Sequence, residues 1–545
     1  MNVAQSIGAA LGQLGARNFF GLVGSGNFEV TDALIRAGVT FYSARHECAA
    51  VSMADGYARL SGEVGIATVH QGPGLTNAMT AIAEAAKSRT QLLILAADTS
   101  RGAVSSNFRI DQAGLARAVG AVAEHAYTPE SALTDLGRAW RTARQRRTVV
   151  MNLPLDVQAA ERPGGTVQAS MALTSAAPDS QAVDRIADLL TSSGRPVIIG
   201  GRGAVLAGAG EALVGLGERV GALLATSANG NGLFAGNRWN LGISGGFASP
   251  AASELLASAD LVISFGASLN MWTTRHGALI GPGTQVVQVD VEADAIGGHC
   301  PVVAGMIGDA KAGAEALVEA LDQRGHRSEG FRTDKVAELI AAGTWNNQLY
   351  QDASTDDTVD PRTLTMALDE LLPTERIVAL DSGHFMGWPA MYLRVPDAAG
   401  FVFNQGFQSV GLGLGSAIGA AVARPDRVTV ACLGDGGALM SAGEFETLAR
   451  LGLPMLVVIY DDAAYGAEVH HFGPQGHGLD PVRFADADLA GFAQGLGCAS
   501  VTVRRPEDLT AVEEWLDHRA GPMVVDAKIV PTLVADWLQE AFKAH

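Results

Sequence analysis

The chain has 545 residues, 66 of them glycine, with 48% hydrophobic and 17% charged residues, far more apolar material than one core can use. At about 150 residues per domain it should hold three or four domains, too apolar for disorder and without a collagen period. Its 38 Lys+Arg against 57 Asp+Glu leave a net charge of −19, a field that repels nucleic acid and anionic membranes.

The N-terminal Met-Asn-Val-Ala-Gln-Ser has no basic region leading into an apolar core, and no stretch approaches ~18 uninterrupted apolar residues. The expectation is an unexported, cytoplasmic protein with no membrane or nucleic-acid partner. Cys48, Cys300, Cys432 and Cys498 are isolated, without a Cys-x-x-Cys pair, so reduced thiols are expected rather than a disulfide framework or zinc knuckle.

In the first block, Gly65–His70 predicts a strand, Gln71-Gly72-Pro73-Gly74 a turn, residues 77–88 a helix, and Leu92–Leu95 a strand running out at Asp98. A polar, small-residue separator follows at about 161–181. The middle block has β-branched runs such as Pro196-Val197-Ile198-Ile199 that end in Gly200-Gly201, and a second separator spans about 323–360. In the third block, Val428–Leu433 predicts a strand, Gly434-Asp435-Gly436-Gly437 a turn, residues 442–451 a helix, and Met455–Tyr460 a strand ending at Asp461. Such alternation predicts an α/β protein of three doubly wound parallel-sheet domains, placed at 1–165, 182–325 and 360–535. The first and third blocks share one succession at nearly one spacing. Common ancestry and a chance match of two βαβ units both explain this.

Gly434-Asp435-Gly436 stands where a strand gives way to a helix, a crevice position at which parallel sheets hold ligands. Glycines let backbone approach a phosphate, and helix N-termini offer unpaired N–H groups. An Asp there repels phosphate unless a hard cation such as Mg²⁺ lies between them, with a second ligand from a neighbouring strand end. Asp461-Asp462 ends the next strand. Taken alone, Gly-Asp-Gly is also what an ordinary acidic turn looks like.

Gly-Asp-Gly followed about 25 residues later by the Asp461-Asp462 doublet resembles the cofactor motif of thiamine-diphosphate-dependent enzymes, whose doublet is of Asn/Asn type, and the likeness extends over essentially the whole chain. Benzoylformate decarboxylase and the acetolactate synthase group are the nearest patterns. The resemblance implies a pyrimidine-binding first domain, a central domain and a diphosphate-binding third domain. It implies Mg²⁺ held by Asp435, Asp462 and the carbonyl of Ala464, with Gly434, Gly436, Gly437, Tyr465 and Gly466 around the cofactor. Gly383, His384, Gln408 and Val410 would complete its cradle, Val410 as the apolar wedge that bends it. The family usually has Asn at both doublet positions, and the additional charge here should tighten the metal and repel the diphosphate.

A second element is Arg45-His46-Glu47 ahead of a helix containing Ala54-Asp55-Gly56-Tyr57-Ala58-Arg59. The resemblance makes Glu47 the catalytic glutamate that bonds the aminopyrimidine, whose imino form takes the thiazolium C2 proton. His-Glu followed by Cys-Ala-Ala is not a zinc-protease motif. A third is Val69-His70-Gln71-Gly72-Pro73-Gly74-Leu75-Thr76-Asn77-Ala78-Met79, similar to the decarboxylase in having both the histidine and Asn-Ala-Met. It implies that His70 transfers protons and that Ser25, in Gly24-Ser25, holds the substrate carboxylate. Phe108, Glu468 and His471 are weaker substrate-pocket candidates, and Glu468 reads equally as a solvated helix residue.

No complete G-x-G-x-x-G occurs, and the Arg-Phe-Asp-Asp segment of flavin-binding acetolactate synthases is absent around Phe265–Leu269. FAD is therefore not expected. The leading expectation is a thiamine-diphosphate- and Mg²⁺-dependent lyase that decarboxylates a 2-oxo acid non-oxidatively. Alternatives are acetolactate-synthase-like carboligation, 2-hydroxyacyl-CoA cleavage and a non-catalytic cofactor-binding paralogue. The resemblance also implies a homodimer or homotetramer with active sites at the subunit interface.

Overall fold

Parallel strands need long crossovers, and Ala-rich stretches between β-branched runs supply helices for them. In the computed structural model, which describes residues 1–161, 167 and 177–542, this alternation gives three six-stranded sheets with every pairing parallel. The first runs from Asn18–Gly21 to Thr148–Pro154, the second from Pro196–Gly200 to Ala304–Ile307, and the third from Arg376–Leu380 to Met523–Lys528. Numbered within each sheet, the strand order is 2-1-3-4-6-5 in both the first and the third, and 3-2-1-4-5-6 in the central one. The first and third blocks thus share topology as well as a local succession. Central strands such as Thr148–Pro154 are buried along their whole length, as sheets covered on both faces require.

Two local expectations change. The helix expected at 77–88 starts earlier, at Pro73–Lys87, because Pro73 fits a first helical turn and Gly72 takes φ 66° before it. The turn expected at Gly434–Gly437 is instead the start of a short helix, Asp435–Met440, ahead of Gly443–Leu451. The second separator contains a helix, Asp334–Ala342, capped by Thr333 and half-hidden through Ala337 and Ile340. Most of the first separator lies outside the described residues. Among the described residues, no helix is long and apolar enough to cross a membrane.

The first and third domains meet through two helices, Glu47–Ser61 and Gly413–Ala423, that touch backbone to backbone. A Cβ on Gly56 would lie 2.1 Å from the Ser416 carbonyl oxygen, and one on Gly419 would lie 1.9 Å from the Met53 oxygen. Only glycine allows that approach. Beside it, the buried Arg59 pairs with Asp55 (2.8 Å) and Glu84 (3.1 Å) and donates to the Phe403 carbonyl, while Glu84 accepts from the backbone N–H of Gly406 and Phe407. Every charge in this seam has a partner, so breaking one side would strand the other. Gly419→Ala should cost about 3 kcal/mol, the upper end of overpacking penalties, because the obstacle is backbone. Urea unfolding checks this, and an unchanged midpoint would mean that the helices separate freely.

Candidate active site

Three adjacent strands of the third sheet finish side by side, and their exits build one crevice. Arg376–Leu380 leads into Asp381-Ser382-Gly383, Val428–Gly434 into Asp435, and Leu456–Asp461 into Asp462. Gly383, His384, Gln408, Val410, Asp435 and Asp462 all line a cavity of about 850 Å³, as do Gly434, Gly436, Gly437, Ala464, Tyr465 and Gly466.

Asp435 begins its helix and is 8% exposed. Burial, then Asp461, pushes its carboxyl up to about 7, and burial, then Asp435, pushes Asp462 up to about 8. Two such groups hold protons until a cation neutralises them. No cluster of three or more His, Cys, Asp or Glu side chains suited to a metal occurs among the described residues. Two carboxylates are nevertheless what Mg²⁺ takes from a protein when phosphate oxygens and water fill its octahedron. Between Asp462 and Ala464, Ala463 adopts the left-handed φ of 52°, and the loop is tied down by Phe484 N–H to Ala463 O and Tyr465 N–H to Val482 O. A non-glycine residue in that conformation stores strain.

The glycine turn is a cradle in a literal sense. A Cβ on Gly437 would lie 2.2 Å from Asp381 Oδ2, and one on Gly436 would lie 2.9 Å from the Tyr465 ring. Asp381 accepts N–H bonds from Gly411, Leu412 and Gly413, which fixes the loop carrying Val410. Burial still lifts this carboxyl to about 6 despite those donors.

His384 is 4% exposed. Burial, then His470, pushes its pKa down to about 3, so the ring is neutral. Its Nε2 accepts from the Ala535 N–H at 2.9 Å, which assigns the proton to Nδ1, and Nδ1 is buried without a partner. A lone buried donor beside two acids fits an anionic ligand that the acids bind through a cation. The residues present therefore fit Mg²⁺ and a diphosphate.

The first-domain candidates form a separate group, and none of them lines this cavity. Glu47 begins its helix, is 7% exposed, and accepts from Asn77 Nδ2 at 3.1 Å. His70 Nδ1 lies 2.8 Å from the Gln71 carbonyl, so it carries the proton and Nε2 faces the Ser25 hydroxyl at 3.4 Å. The exposed Phe108 ring stands edge-on to His70, with centroids 5.1 Å apart. Gly74 joins the two halves of the group: a Cβ there would meet His70 Cβ at 3.0 Å and Glu47 Oε1 at 3.4 Å. Glu468 lines the third-domain cavity, whereas His471 stacks on Phe542 with centroids 3.8 Å apart, outside the lining.

Three participants escaped the reading of the sequence. Asp381 carried a signal, an acid directly after a parallel strand. Glu444 carried none: it accepts from the backbone N–H of Arg45 and His46 at 3.0 Å each, anchoring the start of the Glu47 helix from the third domain. Lys528, at the end of the strand beside Asp461, is the third. The cavity also reaches Arg146 of the first domain and Arg202 of the central domain. Arg202 donates to the Ser88 carbonyl and Thr90 hydroxyl, and burial, then Arg59, pushes it down to about 9.

The chain matches the N-terminal TPP binding domain of thiamine pyrophosphate enzymes over residues 1–127, their central domain over 183–317, and their C-terminal TPP binding domain over 381–527. It is 29% identical to a sulfoacetaldehyde acetyltransferase of Rhodobacter capsulatus, over 100% of this chain and 96% of that protein. It is also 29% identical to a probable 2-ketoarginine decarboxylase of Pseudomonas aeruginosa, over 96% of this chain and 92% of that protein. A catabolic acetolactate synthase of Raoultella terrigena is 26% identical, over 94% and 92%.

Proposed function

Since the chain belongs to the thiamine pyrophosphate enzymes, and so is an enzyme dependent on thiamine diphosphate, we propose that it decarboxylates a 2-oxo acid and releases the aldehyde, with Mg²⁺ as the metal. The observation that carries this reading is the His70–Ser25 pair, with Nε2 facing the hydroxyl at 3.4 Å. When bound, thiamine diphosphate supplies an electron sink for the carbanion left by CO₂. Asp435, Asp462 and the Ala464 carbonyl would hold Mg²⁺, and His384 Nδ1–H would donate to the diphosphate. Val410 would press on the middle of the cofactor, a proximity device. Ser25 Oγ would hold the substrate carboxylate, and Glu47 would exchange a proton with the pyrimidine nitrogen. Once CO₂ has left, His70 would pass a proton from Nε2 to the former carboxyl-bearing carbon, and the hydroxyl on that carbon would lose its proton to water as its bond to the cofactor breaks and the aldehyde departs.

Glu47 and Asp435 belong to groups that do not share a cavity within one chain, which favours a second copy as the supplier of the missing half. Exposed apolar side chains lie at or near both groups: Phe28 shortly after Ser25, Phe108 on His70 and Ile110 just beyond it, and Leu439 and Met440 on the Asp435 helix with Phe484 on Tyr465. Patches of this kind mark contact surfaces. The reading is therefore a homodimer, or a tetramer built from it, working in the cytoplasm with unpaired cysteines.

Relatives of both decarboxylating and acetyl-transferring name leave carboligation as the competing outcome at the same carbon. The test is a panel of 2-oxo acids assayed for CO₂ and aldehyde, with and without an acceptor aldehyde. It should include a guanidino 2-oxo acid, which Glu468 in the cavity would pair. His70→Ala should slow aldehyde release at least about tenfold, against ~10² for typical general acids, and raise the carboligated share. Equal aldehyde release from both proteins would shift the reading to the synthase type. One further reading has an observation of its own: Arg146 and Arg202 line the cavity and make no ion pair among the described residues, as an anionic tail such as that of a 2-hydroxyacyl-CoA would require. Including such a thioester in the panel decides it.

A further inference from the structure

The acidic doublet poses an electrostatic problem. With Asp435, it places three carboxylates at two neighbouring strand ends, where a multiply charged diphosphate has to bind. One cation meets two of those charges at most, and in a half-buried crevice the remainder is poorly screened.

Asp461 does not line the cavity, although its neighbours Tyr460 and Asp462 both do. Its register partner on the adjacent strand is Lys528. Lys528 Nζ lies 2.6 Å from Asp461 Oδ2, with side chains 7% and 2% exposed, and donates to the Ala487 carbonyl at 2.6 Å. The same ammonium reaches Asp486 at 2.6 Å and Asp526 at 3.1 Å. Asp461 in turn accepts the Ala463 N–H through Oδ1 at 2.9 Å, so it also shapes the left-handed turn that presents Asp462. A chain of contacts therefore runs from Lys528 through Asp461 and Ala463 to a metal-ligand candidate.

We propose that Lys528 is a positioning residue that cancels the surplus charge of the doublet, so that a site with Asp at both doublet positions accepts thiamine diphosphate as one with neutral amides would. The proposal rests on the Mg²⁺–thiamine diphosphate reading above. It makes Asp461 and Lys528 a single unit: the acid is acceptable because the lysine is there. Asp486 and Asp526 are the other charged groups on Lys528, and Asp526 is itself held by the N–H groups of Leu489 and Ala490. Their attachment keeps the ammonium at the strand end.

The test is thiamine diphosphate affinity of the apoprotein at saturating Mg²⁺, read by calorimetry, for wild type, K528M, D461N and the D461N/K528M double variant. The double variant removes one negative and one positive charge, so the net charge around the site equals that of wild type. K528M should bind at least tenfold more weakly. D461N and D461N/K528M should each bind within threefold of wild type, a rescue that a merely structural lysine would not show. Circular dichroism verifies folding, and if K528M alone does not fold, the double variant still decides. K528M binding within threefold of wild type, or a folded double variant remaining tenfold weaker, overturns the proposal. Wild type that fails to bind thiamine diphosphate with Mg²⁺ would overturn the cofactor reading itself, before any variant is compared.

Discussion

Glu47→Gln is expected to lose at least about a hundredfold in turnover while keeping its fold and its affinity for thiamine diphosphate, in the range of a lost general acid–base group. The carboxylate is buried at the first position of its helix, and its Oε2 already accepts from Asn77. Glutamine fills the same space and its amide oxygen keeps that bond, so packing is preserved. What disappears is a group able to exchange a proton with the pyrimidine nitrogen. Hydrogen–deuterium exchange at the thiazolium C2 reads this step without the rest of the cycle, and an unchanged exchange rate would dispose of the assignment. The same variant tests the assembly. Mixed with Asp435→Ala after unfolding and refolding, it forms hybrid dimers in which one site pairs an intact Glu47 with an intact Asp435 from the other chain. Random mixing should then recover roughly a quarter of wild-type activity from two inactive proteins. No recovery would place both groups in sites built within one chain.

The outline of the fold was legible because parallel sheets covered on both faces write themselves as apolar runs divided by glycine turns. Val428–Gly434 and Leu456–Asp461 are such runs; chemistry alone marked their ends as candidate ligand positions, and the resemblance to a cofactor motif was needed to prefer that over an ordinary acidic turn. The start of a helix at Pro73, and the helix hidden in Asp435–Met440, were not, since glycine and proline mark turns more often than first helical positions. What the sequence could not reveal is what lies across the sheet or across the domain seam. Lys528 is 67 residues from Asp461, and nothing local marks it as a counter-ion. Glu444 meets Arg45 and His46 across 399 and 398 residues. The unpartnered Nδ1 of His384 depends on Ala535, 151 residues away in sequence. These contacts exist only once strand order and domain packing are known.

Asp435→Ala is expected to abolish Mg²⁺-dependent retention of thiamine diphosphate, weakening it at least about a hundredfold, because in the proposed site a hard-oxygen ligand and its charge would leave together. Asp462→Asn should stay within about threefold, because an amide oxygen could still ligate in the proposed site and one negative charge facing the diphosphate is removed. Complete loss of Mg²⁺ binding in Asp462→Asn would break the equivalence with the family's usual Asn. The pair also sets a pH dependence. Both folded-state pKa values, about 7 and about 8, stand above the ordinary value of about 3.9. The folded apoprotein therefore binds more protons than the unfolded chain between those limits, and this pair makes it less stable as pH rises through them. On the proposed Mg²⁺ assignment cofactor binding would require both groups ionised, which would reverse the trend. The rise in melting temperature on adding Mg²⁺ and thiamine diphosphate should grow from pH 6 to pH 8.5 in wild type, since binding must expel protons at the lower pH. In Asp462→Asn one titrating group is gone, and the growth should shrink. A thermal shift that stays flat across this range in wild type would mean that both carboxylates are already ionised in the apoprotein, with a neighbouring cation doing the work assigned here to Mg²⁺.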